Sequence, residues 1–317
     1  MSFSLDVKEE LESKIDSAKH CQIAEIAALL ALNGKVRRKS GGRMEILLTT
    51  ENEIVARKFI VLLGRAFSIP ESAVEIEYEG KKNSIIHLKV TEEKDVMKLL
   101  MAVKWADETG NVKPVFVDKL LVHKDCCKRA FIRGAFLAAG SISDPNKFYH
   151  YEIVCDYEED AEILKDILEF FHLDAKVIQR KKNYIVYLKE GNNITDVLNV
   201  MGAFVNQMDL YNVMILKGMR NDVNRKVNCE TANLNKTIEA AVKQIRDIEY
   251  IRDNIGLENI NDGLRDVAYV RLENPDMNLK DIGDLLDPPV GKSGVNHRLR
   301  KISEIAEDLR MEEAIRR

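Results

Sequence analysis

A chain of 317 residues is longer than one ordinary hydrophobic core organises, so two or three domains are expected. Its residues are 45% hydrophobic and 32% charged with a net charge of −4, which excludes both a disordered chain and a uniform polycation. Any nucleic-acid surface must therefore be a local patch, and with no apolar run near the roughly 18 residues that span a membrane, a cytoplasmic protein without a membrane partner is expected.

The opening MSFSLDVKEELESKI predicts an acidic amphipathic helix with Ser4 as its cap, and it has no signal-peptide apolar region. The five cysteines (Cys21, Cys126, Cys127, Cys155 and Cys229) form no CxxC pair and no Cys/His spacing that suits zinc. They read as reduced, mostly buried thiols, and neither a metal nor a cofactor is expected. Adjacent Cys126 and Cys127 admit a redox reading, against which stands burial in the helix that follows.

From about residue 21 the sequence runs through the same elements twice. A small-residue-rich helix ends at Gly34 in one copy and at Gly140 in the other. A strand follows (Met44–Thr50; Tyr151–Cys155), then an acidic-capped helix (Glu51–Phe67; Asp156–Phe171). Two further strands come next, Val74–Tyr78 and Ser84–Val90 against Ala175–Arg180 and Tyr184–Lys189. KKNSIIHLK (Lys81–Lys89) and KKNYIVYLK (Lys181–Lys189) share six of nine positions, one hundred residues apart, and each enters its strand from a Lys-Lys-Asn turn. A helix closes each copy, Asp95–Met101 beside Asp196–Gly202. Each half reads α-β-β-α-β-β-α, with three of its four strands placed, and this order repeated marks a tandem duplication.

The first helix of each copy carries a stripe of small side chains. Ala24, Ala27, Ala28 and Ala31 fall at i, i+3, i+4, i+7; Ala130, Gly134 and Ala138 fall at i, i+4, i+8. Two such helices can meet backbone to backbone. With the duplication, this resembles the LAGLIDADG homing-endonuclease fold, in which two such helices form a pseudo-symmetry axis above a β-saddle that sits on DNA. The resemblance implies an acidic metal ligand just before the final Gly of each helix, where this chain has Asn33 and Ala139. Magnesium needs hard, anionic oxygen ligands to activate water, so no catalytic residues and no enzyme activity are expected. An active nuclease is the least favoured reading. Lys35, Arg37, Arg38, Lys39 and Arg43 in one half, with Arg180, Lys181 and Lys182 in the other, suit either phosphate contact or solvated turns.

After Met201 the pattern becomes continuously helical. Asparagines at 206, 212, 221, 224, 228, 233 and 235 suggest side chains held in specific hydrogen bonds, either at an interdomain joint or on phosphate beside Arg220, Arg225 and Lys226. A polar helix, Asn235–Asn254, leads to Gly256, and a shorter one, Asp262–Leu272, stops at Asn274-Pro275. Asn278 then caps a helix with Leu279, Ile282, Leu285 and Leu286 on one face. After the turn Asp287–Lys292, longer than usual for this motif, Ser293 caps a second helix whose Val295, Leu299, Ile302, Ala306 and Leu309 hold register. At about 100° per residue, Ser293, His297 and Arg300 point away from that core, with Asn296 and Lys301 on either side. From Lys292 to Lys301 there are four cations and no acid. Arg matches guanine and Asn matches adenine in the major groove, so this is read as the recognition helix of a helix-turn-helix. The candidate DNA-binding residues are Lys292, Ser293, Asn296, His297, Arg298, Arg300 and Lys301.

Together, the degenerate duplicated half, NRKVNCETANLNKT (Asn224–Thr237), LLDPPVGKSGVNHRLRKI (Leu285–Ile302) and the opening FSLDVKEEL resemble the WhiA family of bacterial regulators over essentially the whole chain. The resemblance implies a transcription factor linked to sporulation, or to cell division and chromosome segregation. Double-stranded DNA is its expected partner, with other transcription or division proteins as further candidates. The expected architecture is α+β: a LAGLIDADG-like tandem domain over 1–205 (repeats about 21–105 and 125–205), an Asn-rich linker over 206–232, and an all-α domain over 233–317 with its helix-turn-helix at about 278–311. The competing reading is an architectural chromosome-binding or protein-interaction factor for which the helix-turn-helix is only an anchor.

Overall fold

The structure is a computed structural model that describes residues 2–39, 43–80, 84–107, 109, 111–112 and 117–316, the last without its side chain. The Lys81–Asn83 turn of the first repeat lies outside the described residues. The chain divides into two units, Met1–Gly218 and Met219–Arg317.

In the first unit, α1 (Phe3–Glu12) precedes two copies of one pattern. The first copy comprises α2 (Lys19–Asn33), β1 (Gly34–Arg38), β2 (Met44–Thr50), α3 (Glu53–Phe67), β3 (Val74–Glu79), β4 (Ile85–Val90) and α4 (Glu93–Ala102). The second comprises α5 (Asp125–Ala139), β5 (Gly140–Ile142), β6 (Tyr151–Cys155), α6 (Glu158–Phe170), β7 (Lys176–Arg180), β8 (Asn183–Leu188) and α7 (Gly191–Met201). The strands not placed from sequence, β1 and β5, begin directly at the glycines that end α2 and α5. Both sheets are antiparallel with equivalent strand orders, β1-β2-β4-β3 and β5-β6-β8-β7. Alternation puts Ile86, Leu88 and Val90 of β4 into the core, where α3 packs against the strand.

Helices α2 and α5 pack against each other because their facing stripes are small. Cys21, Ala24, Cys127 and Ala130 form one buried contact cluster between them. A β-carbon added to Gly134 would stand 2.6 Å from the Glu25 carbonyl oxygen and 3.0 Å from the Ala28 methyl, so only glycine fits this crossing. At their C-terminal ends the Asn33 amide donates to the Ala138 carbonyl across the pair (3.2 Å).

Charges are buried in this helix pair as well. The Glu25 carboxylate is 0% exposed and takes two bonds from the Arg133 guanidinium, Nε at 3.0 Å and Nη2 at 2.8 Å, with Lys58 Nζ of α3 at 3.3 Å. Arg133 also meets Asp16 and the Met201 carbonyl, and Lys58 donates to the carbonyls of Leu11, Glu12 and Lys14. Burial pulls the Lys58 ammonium below the usual lysine range despite Glu25 beside it. Every charge in the cluster has a partner, as burial demands.

Several local expectations need correction. Ser2, not Ser4, caps α1 by accepting from the Leu5 N–H; the Ser4 hydroxyl instead accepts from the Ile142 N–H. Asn52, rather than an acid, caps α3 by accepting from the Ile54 N–H (2.9 Å). Among the seven asparagines only Asn206 is buried, bonded to Glu10 and to the Asp6 carbonyl. The other six are exposed on one uninterrupted helix, α8 (Phe204–Asn254).

Candidate nucleic-acid interface

The second unit builds its core from the end of α8 and three further helices, α9 (Asp262–Glu273), α10 (Leu279–Asp284) and α11 (Lys292–Arg316). Ile248 and Ile251 of α8 meet Val267 and Ala268 of α9, Ile282 of α10, and Val295, Leu299, Ile302 and Ala306 of α11. The 4, 3, 4 spacing of those α11 residues produces this: each of the four is at most 1% exposed, so the rotation of α11 is fixed. Asn278 caps α10 by accepting from the Lys280 and Asp281 N–H groups (3.0 and 3.1 Å), as its sequence position predicts.

Two details of the helix pair differ from expectation. Leu285 is 57% exposed, because α10 ends at Asp284 and the next residue leaves the apolar face. Ser293 lies inside α11 rather than at its cap: the helix begins at Lys292, and the Gly291 carbonyl accepts from the Gly294 and Val295 N–H groups. The turn between the helices is closed by a bond from the Val290 N–H to the Gly283 carbonyl (2.9 Å). A β-carbon at Gly283 would fall 1.9 Å from the Val290 oxygen, so glycine is required at this approach.

Opposite the core, Lys292, Ser293, Asn296, His297, Arg300 and Lys301 are all exposed. Among the described residues no acid pairs with Lys292 or Lys301, and Arg300 reaches Glu304 only at 3.5 Å with its side chain 79% exposed. Further along α11 the charges are used internally: Glu307 pairs with Lys243 (3.0 Å) and Arg310 with the buried Asp247 (2.8 Å). The first three turns therefore expose Lys292, Arg300 and Lys301 while the remainder docks on α8. Arg298 is the exception among the seven candidates. It is half-buried, and its Nη1 donates to the Gly263 carbonyl at the start of α9 (3.2 Å), which fastens α9 to α11. Lys236 and Thr237 of α8 border the same groove as Lys292, Asn296 and Asn278. Lys236 is not among the residues expected from sequence, since nothing in its spacing ties it to a helix that begins 56 positions later.

The saddle of the first unit is electrostatically different. The face that carries Lys35, Arg37 and Lys89 also carries Glu45, Glu75, Glu77 and Glu79, as the strand register requires. Of those three cations Lys89 pairs with Glu77, and beside them Lys39 pairs with Glu45 (2.8 Å) and His87 meets Glu79 (2.9 Å). Asn33 and Ala139 stand at the C-terminal ends of α2 and α5, where the sequence resemblance implies carboxylates, and Asp156 borders the groove beside Asn33.

The chain is similar to known proteins over nearly all of its length. Residues 19–104 match the WhiA N-terminal LAGLIDADG-like domain, residues 128–220 the WhiA LAGLIDADG-like domain, and residues 223–306 the WhiA C-terminal HTH domain. The "Probable cell division protein WhiA" of Lachnospira eligens is 62% identical over 313 residues, 98% of each chain. The protein of the same name from Clostridium botulinum strain Hall is 45% identical over 98% of this chain and 99% of its own. Among solved structures, full-length DUF199/WhiA from Thermatoga maritima is similar over 97% of this chain and 99% of its own, with 27% identity and a TM-score of 0.60.

Proposed function

The chain belongs to the WhiA family, and from that premise we propose that it is a sequence-specific DNA-binding transcriptional regulator without nuclease activity. The observation that carries the reading is the start of α11: an exposed, acid-free face held in one rotation by Val295, Leu299 and Ile302. In this assignment Arg300, His297 and Asn296 enter the major groove, where Arg pairs bidentately with guanine and Asn with adenine. Lys292, Ser293 and Lys301 take strand phosphates, joined by Lys236 from α8. Arg298 supports them from behind by holding α9, and in this assignment its other donors are left for phosphate. The relatives' name carries cell division over as the process regulated. No helix is long and apolar enough to cross a membrane among the described residues, which fits a protein that works on the chromosome.

A genome-wide map of bound DNA, taken with transcript levels in a deletion strain, tests the regulatory role. Binding confined to promoter regions, with expression changes in the adjoining genes, is expected. Broad binding without expression changes would replace it with an architectural role. For the first unit, purified protein is expected to leave supercoiled plasmid intact with Mg²⁺ or Mn²⁺, since Asn33 and Ala139 supply no carboxylate. Metal-dependent nicking that persists through purification and disappears on substitution beside Asn33 would overturn that assignment.

A further inference from the structure

The cysteines that lack zinc-like spacing in the sequence converge in the fold. His20 and Cys21 are the second and third residues of α2; Cys126 and Cys127 are the second and third residues of α5. The duplication therefore places two pairs at equivalent positions of two equivalent helices, and the helix crossing brings them together on the pseudo-symmetry axis. The His20 Nδ1 lies 3.2 Å from the Cys127 Sγ, 3.3 Å from the Cys21 Sγ and 4.0 Å from the Cys126 Sγ. All four donor atoms fall within 4.8 Å of one another.

One imidazole nitrogen carries either a proton or a lone pair, so it serves one of the three thiols and leaves the others only weak sulfhydryl bonds to one another. No disulfide joins the sulfurs, which are all free thiols. A tetrahedral zinc ion, with Zn–S near 2.3 Å and Zn–N near 2.0–2.1 Å, sets about 3.6 Å between nitrogen and sulfur ligands and about 3.8 Å between sulfurs. The observed nitrogen–sulfur separations scatter around that value. We propose that His20, Cys21, Cys126 and Cys127 form a structural site for one thiophilic divalent cation, zinc by its ligand chemistry, that clamps α2 to α5.

Three thiolates and a neutral imidazole around a dication leave one net negative charge, which suits the positive ends of two helix N-termini. Four protein ligands also leave no open position for water, so the ion would be structural rather than hydrolytic. The site lies at the end of the helix pair opposite Asn33 and Ala139, about 20 Å along the axis at 1.5 Å per residue. Cys21 and Cys127 are buried while His20 and Cys126 are exposed, so an ion can enter from solvent on the side of the exposed pair. Binding must displace thiol protons, and occupancy therefore falls as the medium is acidified.

The test uses the full chain purified under reducing conditions from zinc-replete cells. Elemental analysis is expected to give one zinc per chain, kept in Cys229→Ser and lost in the double variant Cys126→Ser/Cys127→Ser. Wild-type protein stripped with a chelator should unfold at lower temperature. On titration with Co²⁺ it should gain the visible absorption of tetrahedral cobalt thiolate, which Zn²⁺ then erases. The cobalt titration needs no variant, so it decides the matter even if the double variant fails to fold. No bound metal together with no cobalt spectrum in the reduced wild type would overturn the proposal, as would a disulfide among Cys21, Cys126 and Cys127 in freshly isolated protein.

Discussion

Glu25→Ala is expected to destabilise the first unit by about 3–5 kcal/mol, the scale for breaking a buried ion pair by removing one partner. Among the described residues Glu25 is the carboxylate that ion-pairs with both buried cations: Arg133 holds it through two nitrogens and Lys58 lies 3.3 Å away. Without it Arg133 keeps its pair with Asp16, and Lys58 keeps carbonyl oxygens and the more distant charge of Asp16. The pH dependence has a definite sign. Burial already holds the Lys58 pKa below its ordinary value, and loss of Glu25 lowers it further. The unfolded lysine then binds a proton that the folded one releases, so stability of the variant rises with pH up to the ordinary lysine range. Denaturant unfolding of wild type and variant at neutral and alkaline pH should show a gap that narrows as pH rises. A cost below about 1 kcal/mol, the scale of an exposed pair, or a gap that widens with pH, would contradict the assignment.

Leu299→Ala is expected to abolish DNA binding without touching DNA. Leu299 is 1% exposed at the centre of the second unit's core, between Val295 and Ile302 on one helix and residues of α9 and α10 on the others. Truncating a buried leucine costs about 2–5 kcal/mol through lost burial and the cavity left behind. The core of this unit is small, so the loss is a large share of its stability. Loss of binding should therefore appear together with a lowered melting transition, and binding should return on cooling if the helix refolds. Undiminished melting with lost affinity would mean that Leu299 faces the ligand and that α11 is rotated from its assigned register.

Much of this architecture is legible in the sequence because local periodicity survives folding. The 4, 3, 4 spacing from Val295 to Ala306 fixes the buried stripe of α11, and the repeated Lys-Lys-Asn strands reveal the duplication. The small stripe on α2 and α5 likewise announces a close helix crossing. Features that depend on long-range meeting are not legible. Glu25 and Arg133 look like ordinary helix charges until folding brings together residues 108 positions apart. The His20–Cys21 and Cys126–Cys127 pairs carry no metal spacing because each helix supplies only half of the ligand set. Arg298 shares the exposed-cation composition of its neighbours, yet the position of α9 turns it inward toward Gly263. Gly283 and Val290 are close only because the turn after α10 folds back on the helix, which no hydrophobic pattern encodes.

Whether the first turns of α11 read base sequence is decided by affinity for a preferred and a scrambled duplex across a range of salt concentrations. Wild type, Arg300→Ala and Lys292→Ala are compared, with unchanged melting required of each. The Arg300 contact to Glu304 is long and solvent-exposed, so the guanidinium is readily released to a base edge. Arg300→Ala should cost about 1–3 kcal/mol on the preferred duplex and less on the scrambled one. Lys292→Ala should weaken both duplexes alike and reduce the salt slope by about one unit. Equal loss on both duplexes for Arg300→Ala, with the fold intact, would make Arg300 a phosphate contact and contradict base reading by this face.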